Sequence, residues 1–381
     1  MISSLGNNVE ESRHNLASKT IPKLNRKKVG AAELSFMELS VPHNWGFENL
    51  LSYNSKNNRL LWNCFKQIEA SYKHLSSQLD NTRIGIVMGT STSGILEAEN
   101  AYKAEAHKQS WPGDYHYHQQ EMGSASMFLK HALQIKGPHQ TISTACSSSA
   151  KAFIVGQRWL EQDLCDLVIV GGCDTLCDMT LLGFHSLGAY SADRCNPYSE
   201  QRDGIHIGEA AALCLLSKKA SSLCLKGFGE SSDAHHISAP DPTGQGAALA
   251  MQNALTSANC RGEEIDYLNL HGTGTPLNDS MEAKAVQLAL QHPVNVSSTK
   301  SLTGHTLGAA GALEAAISMI VLTHDTPLYP LHVYNGNIPS EFSHMNWIDE
   351  HFKSTKRPKL VMSNSFAFGG SNCSLIFKHL T

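Results

Sequence analysis

Cys146 stands in TISTACSSSAKAFIVGQRWL, Thr141 to Leu160, where a short β-branched run of Thr141, Ile142 and Thr144 breaks off into small polar residues. Apolar positions then recur at Ala150, Phe153, Ile154 and Leu160, which is helical spacing. The pattern predicts a strand ending near the cysteine and a helix starting with it. Unpaired backbone N–H groups and the positive end of the helix dipole converge at such a point, so a thiolate is favoured and the thiol pKa falls. Taken alone, the segment fits a nucleophile and a small buried apolar residue equally well.

Two further segments deliver reactive side chains from strand ends. Tyr267 to Leu270 runs into His271 of HGTGTP, and Val294 to Ser297 leads through Lys300 to His305 in STKSLTGH. Near the end of the chain, Leu360 to Asn364 turns at Phe366-Ala367-Phe368-Gly369-Gly370 and returns as Cys373 to Phe377. Paired glycines there let a backbone N–H point into a cleft without a side chain in the way.

The elements that must hold these residues alternate between strands and helices. Arg83 to Met88 is an apolar strand entering the glycine- and hydroxyl-rich turn Gly89 to Gly94. No GxGxxG or GK[ST] is present, so packing beside a site explains that turn better than a nucleotide. Leu167 to Val170 is continuously apolar, as in a strand buried on both faces, and Ala210 to Leu216 follows the polar loop NPYSEQRDGIHIG. Helical patterns cover Val9 to Leu16, Ser55 to Leu75 and Gly244 to Ala258. Leu307 to Thr323 is the most apolar, but it contains Glu314 and is shorter than the roughly 20 residues of a membrane span, so it is a core helix. An unpaired carboxylate there would be costly, which calls for a partner. These alternations give an α/β layered fold.

Composition excludes several classes. The chain has 381 residues, 41% hydrophobic and 17% charged, enough for a large core and too apolar for disorder. A net charge of -4 gives no reason to expect nucleic acid. Ten scattered cysteines with no signal sequence before them suit reduced thiols in a cytoplasm. The close pair Cys173 and Cys177 lacks a second pair at zinc-ligand spacing, and surface histidine explains His116, His118, His235 and His236 better than ligation, so no metal site is expected.

Together, TACSSS around Cys146, HGTGTP at His271, STKSLTGH ending at His305, and NSFAFGGSN from Asn364 to Asn372 closely resemble the β-ketoacyl-acyl carrier protein synthases. The similarity is to the elongating, decarboxylating branch of the thiolase-like superfamily. It runs in order along nearly the whole chain, including Gly204 to Ala211 and SSDAHHISAP at Ser231 to Pro240. The resemblance implies a five-layer α-β-α-β-α fold of two similar halves, residues 1–217 and 218–381. It also implies a dimer, an acyl carrier protein that brings substrates on phosphopantetheine, and no further cofactor.

Residue by residue, the resemblance implies that Cys146 accepts the acyl group, that His271 and His305 hold the malonyl thioester carbonyl, and that Lys300 and Glu314 support them. Phe368 resembles a gate over the acyl channel, and its N–H with that of Cys146 would form the oxyanion hole. Thr273 and Thr275 match pantetheine-binding hydroxyls, Thr92 a residue limiting acyl room, and Lys56 and Arg59 a docking site for the acidic carrier. The implied reaction is a decarboxylative Claisen condensation that extends a fatty-acid or polyketide chain by two carbons. The second histidine distinguishes this set from initiating synthases, which pair cysteine with His and Asn, and from thiolases, which use a second cysteine.

Family members begin with a hydrophobic strand placed centrally in the first sheet, and Met1 to Gly6 matches only where it ends. Either the true start lies upstream or another segment fills that place. The polar WPGDYHYHQQ run at 111–120 also departs from the fatty-acid enzymes, and a narrower resemblance is to aryl polyene ketosynthase subunits, which pair with a nucleophile-free chain length factor. Two rival readings fit the same residues: a cysteine acyl hydrolase using one histidine, and a non-catalytic chain-length-factor-like subunit.

Overall fold

The computed structural model describes residues 1–380. In chain order, helix α1 (Val9–Ala17) is followed by the hairpin β1 (Asn25–Val29) and β2 (Ala32–Met37), then α2 (Lys56–Lys66) and α3 (Glu69–Ser76). Strand β3 (Ile84–Gly89) leads to α4 (Ile95–Ala106), α5 (Ser124–Ala132), β4 (His139–Ile142), α6 (Ser148–Glu161), β5 (Leu167–Asp174) and α7 (Asp178–Ser186). The short β6 (Ile207–Gly208) and β7 (Ala210–Ser217) precede β8 (Leu223–Ser232), α8 (Gln245–Ala258), β9 (Tyr267–Asn269) and α9 (Pro276–Leu290). Then come β10 (Asn295–Ser297), α10 (Lys300–Thr303), α11 (Ala310–Thr323), β11 (Asn346–Trp347), β12 (Leu360–Ala367) and β13 (Ser371–His379).

Two sheets repeat one plan. The first runs β4-β3-β5-β7 and the second β11-β10-β9-β12-β13-β8. In the first, β4, β3 and β5 are parallel, in the second β11, β10, β9 and β12 are, and in each the next strand, β7 or β13, is antiparallel to them. β8 then closes the second sheet beside β13, and the equivalent place beside β7 holds Ile2, which exchanges both backbone hydrogen bonds with Ala211 at 2.8 and 3.0 Å. The opening segment therefore lies at the edge of the first sheet and not at its centre.

Apolar periodicity explains the layers. β3 and β5 are buried at every position, so helices must cover both their faces. α6 packs on β3 and β5, α11 packs on β12 and β13, and the two helices pack on each other as the middle layer. Leu313, Ile317 and Val321 of α11 share one core with Phe153 of α6, Val170 of β5 and Leu375 of β13. α2 and α5 cover the outer face of the first sheet, α8 and α9 that of the second, which makes the fold α-β-α-β-α.

Local departures from the sequence reading have simple causes. The Ser55 to Leu75 pattern is two helices, because Ile68 leaves helical geometry at φ -111°, ψ 4°. The polar, lysine-rich N-terminal stretch conceals a hairpin whose β2 pairs in parallel with β6. Its charged first strand lies in water, so burial periodicity gave no signal. No helix among the described residues is long and apolar enough to cross a membrane.

Candidate active site

Cys146 lies in the turn between β4 and α6, just before Ser147, the N-cap residue of that helix. Ala145 has a left-handed backbone, φ 50°, which bends the chain sharply enough to hold the sulfur out of the strand line. Ser148 Oγ bonds to the Ala145 carbonyl at 2.6 Å and accepts the Thr144 N–H at 2.9 Å, locking the bend. Gly89 is required beneath it, since a Cβ there would meet the backbone nitrogen of Ser149 at 2.2 Å.

The histidines come from the other half. His271 follows β9, and His305 follows α10. The His305 backbone is tied on both sides: its N–H donates to His206 O at 2.8 Å, and its carbonyl accepts Gly208 N–H at 3.1 Å. The sulfur of Cys146 and ring nitrogens of both histidines lie within 4.8 Å of one another, all three residues buried. His305 Nε2 is 3.0 Å from Cys146 Sγ.

The hydrogen bonds decide which ring nitrogens carry protons. Leu307 N–H donates to His305 Nδ1 at 3.2 Å, and the Lys300 ammonium donates to His271 Nδ1 at 3.3 Å. Both Nδ1 atoms are acceptors, so both Nε2 atoms carry hydrogen and are donors. Burial, followed by the Lys300 charge, holds both imidazoles well below the usual histidine range, so they stay neutral. The site thus presents two neutral N–H donors to a developing anion. Cys/His/His is also a set of zinc-type donors, but the Lys300 ammonium directly behind His271 opposes a second cation.

Lys300 is fully buried and pairs with Glu314 of α11 at 2.5 Å. Glu314 is thereby partnered inside an apolar helix, and burial still pushes its carboxyl up to about 7. The thiol departs from the sequence expectation. Burial pushes Cys146 up to about 11, against the opposing pull of Lys300 and of the Phe368 and Cys146 backbone N–H groups. Desolvation in the closed pocket outweighs that pull.

A cavity of about 330 Å³ reaches the sulfur. Phe368 and Phe184 of α7 wall it with ring centroids 5.6 Å apart, and Thr273 and Thr275 also line it, their hydroxyls 2.9 Å apart. Thr92 lies elsewhere: it is buried, donates to Asp174 at 2.8 Å, and is absent from the cavity wall. Lys56 is turned inward onto the buried Glu209 at 2.6 Å, and Arg59 onto Asn54 at 2.7 Å. Both side chains of the expected docking site therefore have partners within the chain.

Three acidic residues that the sequence reading passed over hold the site together. Asp174, at the end of β5, accepts from Thr90, Ser91, Thr92 and Ala309, joining the turn after β3 to the start of α11. Glu282 accepts the backbone N–H groups of His271 and Gly272 and the Asn364 amide. Asp279 accepts from Gly274 and Tyr198. A carboxylate closing an otherwise apolar strand, LVIVGGCD, was the available signal for Asp174; those on α9 read as ordinary acids in a helix start.

A doubled α/β plan that sets a cysteine from one half against two imidazole donors from the other defines a thioester-condensing enzyme. Residues 55–222 match the family described as beta-ketoacyl synthase, N-terminal domain, and residues 223–333 match beta-ketoacyl synthase, C-terminal domain. The 3-oxoacyl-[acyl-carrier-protein] synthase 2 of Coxiella burnetii is 32% identical over 319 residues, 78% of this chain and 76% of that protein. The mitochondrial 3-oxoacyl-[acyl-carrier-protein] synthase of Arabidopsis thaliana is 33% identical over 279 residues, 67% and 59% of the two chains. Among solved structures, the complex of ketosynthase ApeO with its chain length factor ApeC from Xenorhabdus doucetiae contains a chain 41% identical, with TM-score 0.92 over 100% of this chain and 96% of that one. The chain belongs to the β-ketoacyl synthase family, and Cys146, His271 and His305 are its catalytic triad for Claisen condensation.

Proposed function

We propose that this chain is the catalytic subunit of a ketosynthase that works with an acyl carrier protein and a chain-length-factor-like partner in aryl polyene-type chain extension. The single observation that carries the catalytic reading is the convergence of the Cys146 sulfur with two Nε2–H donors. The likeness to the ApeO–ApeC complex supports the partner, and ten free cysteines support a reducing, cytoplasmic setting. A division near residue 217 follows the end of β7.

In the first half-reaction the Cys146 sulfur adds to the acyl-thioester carbonyl, and the proton it gives up as the bond forms passes on to the departing carrier sulfur. The carrier then leaves as its thiol. The N–H groups of Cys146 and Phe368 hold the tetrahedral oxyanion, and one such donor is worth roughly 3 kcal/mol. In the second, the malonyl thioester releases carbon dioxide, and the electron pair moves to an enolate oxygen held by His271 and His305. The enolate carbon attacks the acyl-Cys146 carbonyl, the new carbon–carbon bond forms, and the Cys146 thiolate departs. Lys300 fixes His271 as an Nε2–H donor, Glu314 holds Lys300, Thr273 and Thr275 bind pantetheine, and Phe368 gates the cavity.

Incubation with acyl-carrier thioester is expected to add the acyl mass to the Cys146 peptide in mass spectrometry. Subsequent malonyl-carrier is expected to release carbon dioxide and the extended product in equal amounts. An unmodified Cys146 in an active preparation contradicts the scheme.

A further inference from the structure

The cavity leading to Cys146 has no lysine or arginine in its wall, and the charged side chains it does hold, Asp203 and Asp233, are acidic. Around the same opening stand large apolar side chains open to solvent: Leu187 is 59% exposed, Leu277 63% and Ile237 80%. Leu187 and Leu277 border the cavity directly. Ile237 precedes cavity residue Ser238, and its carbonyl accepts the Gly369 N–H at 2.8 Å beside Phe368. Three separate segments, the end of α7, the loop after β8 and the start of α9, thus contribute to one apolar collar.

Isolated exposed leucines need no explanation, but a collar of them around a functional opening marks a contact surface. Cys146 is itself only 6% exposed, so a thioester must be delivered through this mouth. The two cations expected to draw in an acidic partner, Lys56 and Arg59, are committed to internal partners instead.

We infer that the carrier protein docks on Leu187, Ile237 and Leu277 through an apolar patch surrounding its prosthetic-group attachment point, with desolvation and not charge pairing supplying the affinity. This rests on the proposed function, because it takes the carrier as the source of substrate.

The test compares one acyl group on two supports, the carrier protein and N-acetylcysteamine, using the full chain with any subunit that co-purifies. Ile237→Ser and the triple variant with Leu187→Ser and Leu277→Ser are read by acylation of Cys146. The expected result is a KM for the carrier substrate raised about threefold in the single variant and about tenfold or more in the triple, with the small thioester used as by wild type. The wild-type KM for the carrier is expected to hold steady from about 0.05 to about 0.5 M salt, since apolar docking is not screened. An unchanged carrier KM in the triple variant, or a KM that climbs steeply with salt, overturns the collar. Equal losses on both supports overturn it too, by placing the effect inside the cavity. A wild type that is acylated by the small thioester and never by the carrier overturns the proposed function itself.

Discussion

After β4 the first half turns through a left-handed residue, Ala145, directly into α6, and Cys146 is the only reactive group on that turn. After β10, at the corresponding place in the second sheet, the chain makes the short helix α10 and then reaches His305 and the left-handed Leu307 before α11 begins. The turns after β3 and β9 differ likewise. Thr90 to Thr92 is tied down by Asp174, whereas the second-half turn is tied down by Glu282 and Asp279 and carries His271. One plan therefore gives a nucleophile in one copy and two anion-holding donors in the other. The halves separate the two chemical tasks, acyl capture and enolate stabilisation.

That separation can be broken most severely at its two ends. Cys146→Ala is expected to abolish acyl capture and condensation, whereas His305→Ala is expected to lower malonyl decarboxylation by about a hundredfold or more while acylation of Cys146 proceeds. Parallel measurement of carbon dioxide release and acyl-enzyme mass checks both. Equal loss of the two steps in His305→Ala would mean that the tasks are not divided between the halves.

A smaller effect is expected at Lys300, which belongs wholly to the second half. Lys300→Met removes the donor to His271 Nδ1 and leaves Glu314 buried without its partner, costing about 3–5 kcal/mol of stability in denaturant melts. Adding Glu314→Leu is expected to restore much of that stability but not decarboxylation, because the tautomer of His271 stays unfixed. Recovery of both together would make the pair purely structural.

The mildest test uses proton affinity. Because burial pushes the Cys146 thiol up to about 11, its alkylation in the free enzyme is expected to speed up with rising pH beyond the ordinary thiol value of 9.0. A plateau already near about pH 7 would restore the depressed thiol expected from the helix start alone. At the seam, His206 is lowered to about 3, by burial first and by Arg194 second. Its folded value lies below its unfolded one, so it is neutral to stability above about pH 6.5. Stability falls as pH drops below that, because only the unfolded chain gains the proton, and the loss stops near the folded value. His206→Asn is expected to lose roughly 2 kcal/mol less than wild type between about pH 7 and 5 in denaturant melts.

Much of this site is legible in the sequence. Strand ends at Cys146 and His271 are marked by abrupt changes from apolar runs to small or glycine residues, and those changes follow from backbone geometry that local sequence controls. The apolar helix containing Glu314 demanded a partner, and Lys300 is that partner. Less readable were Asp174, Glu282 and Asp279, whose burial depends on segments far away in the chain.

By itself the sequence determined which chemical groups are present, the elements that carry them, and through ordered motifs the family. Tertiary structure alone decided the inward turn of Lys56 and Arg59, the hydrogen-bonded confinement of Thr92, and the edge position of Ile2. It also reversed the direction of the Cys146 thiol. Side-chain partners and desolvation are set by atoms that distant segments bring into contact, so residue type and spacing place a group on an element without fixing what surrounds it.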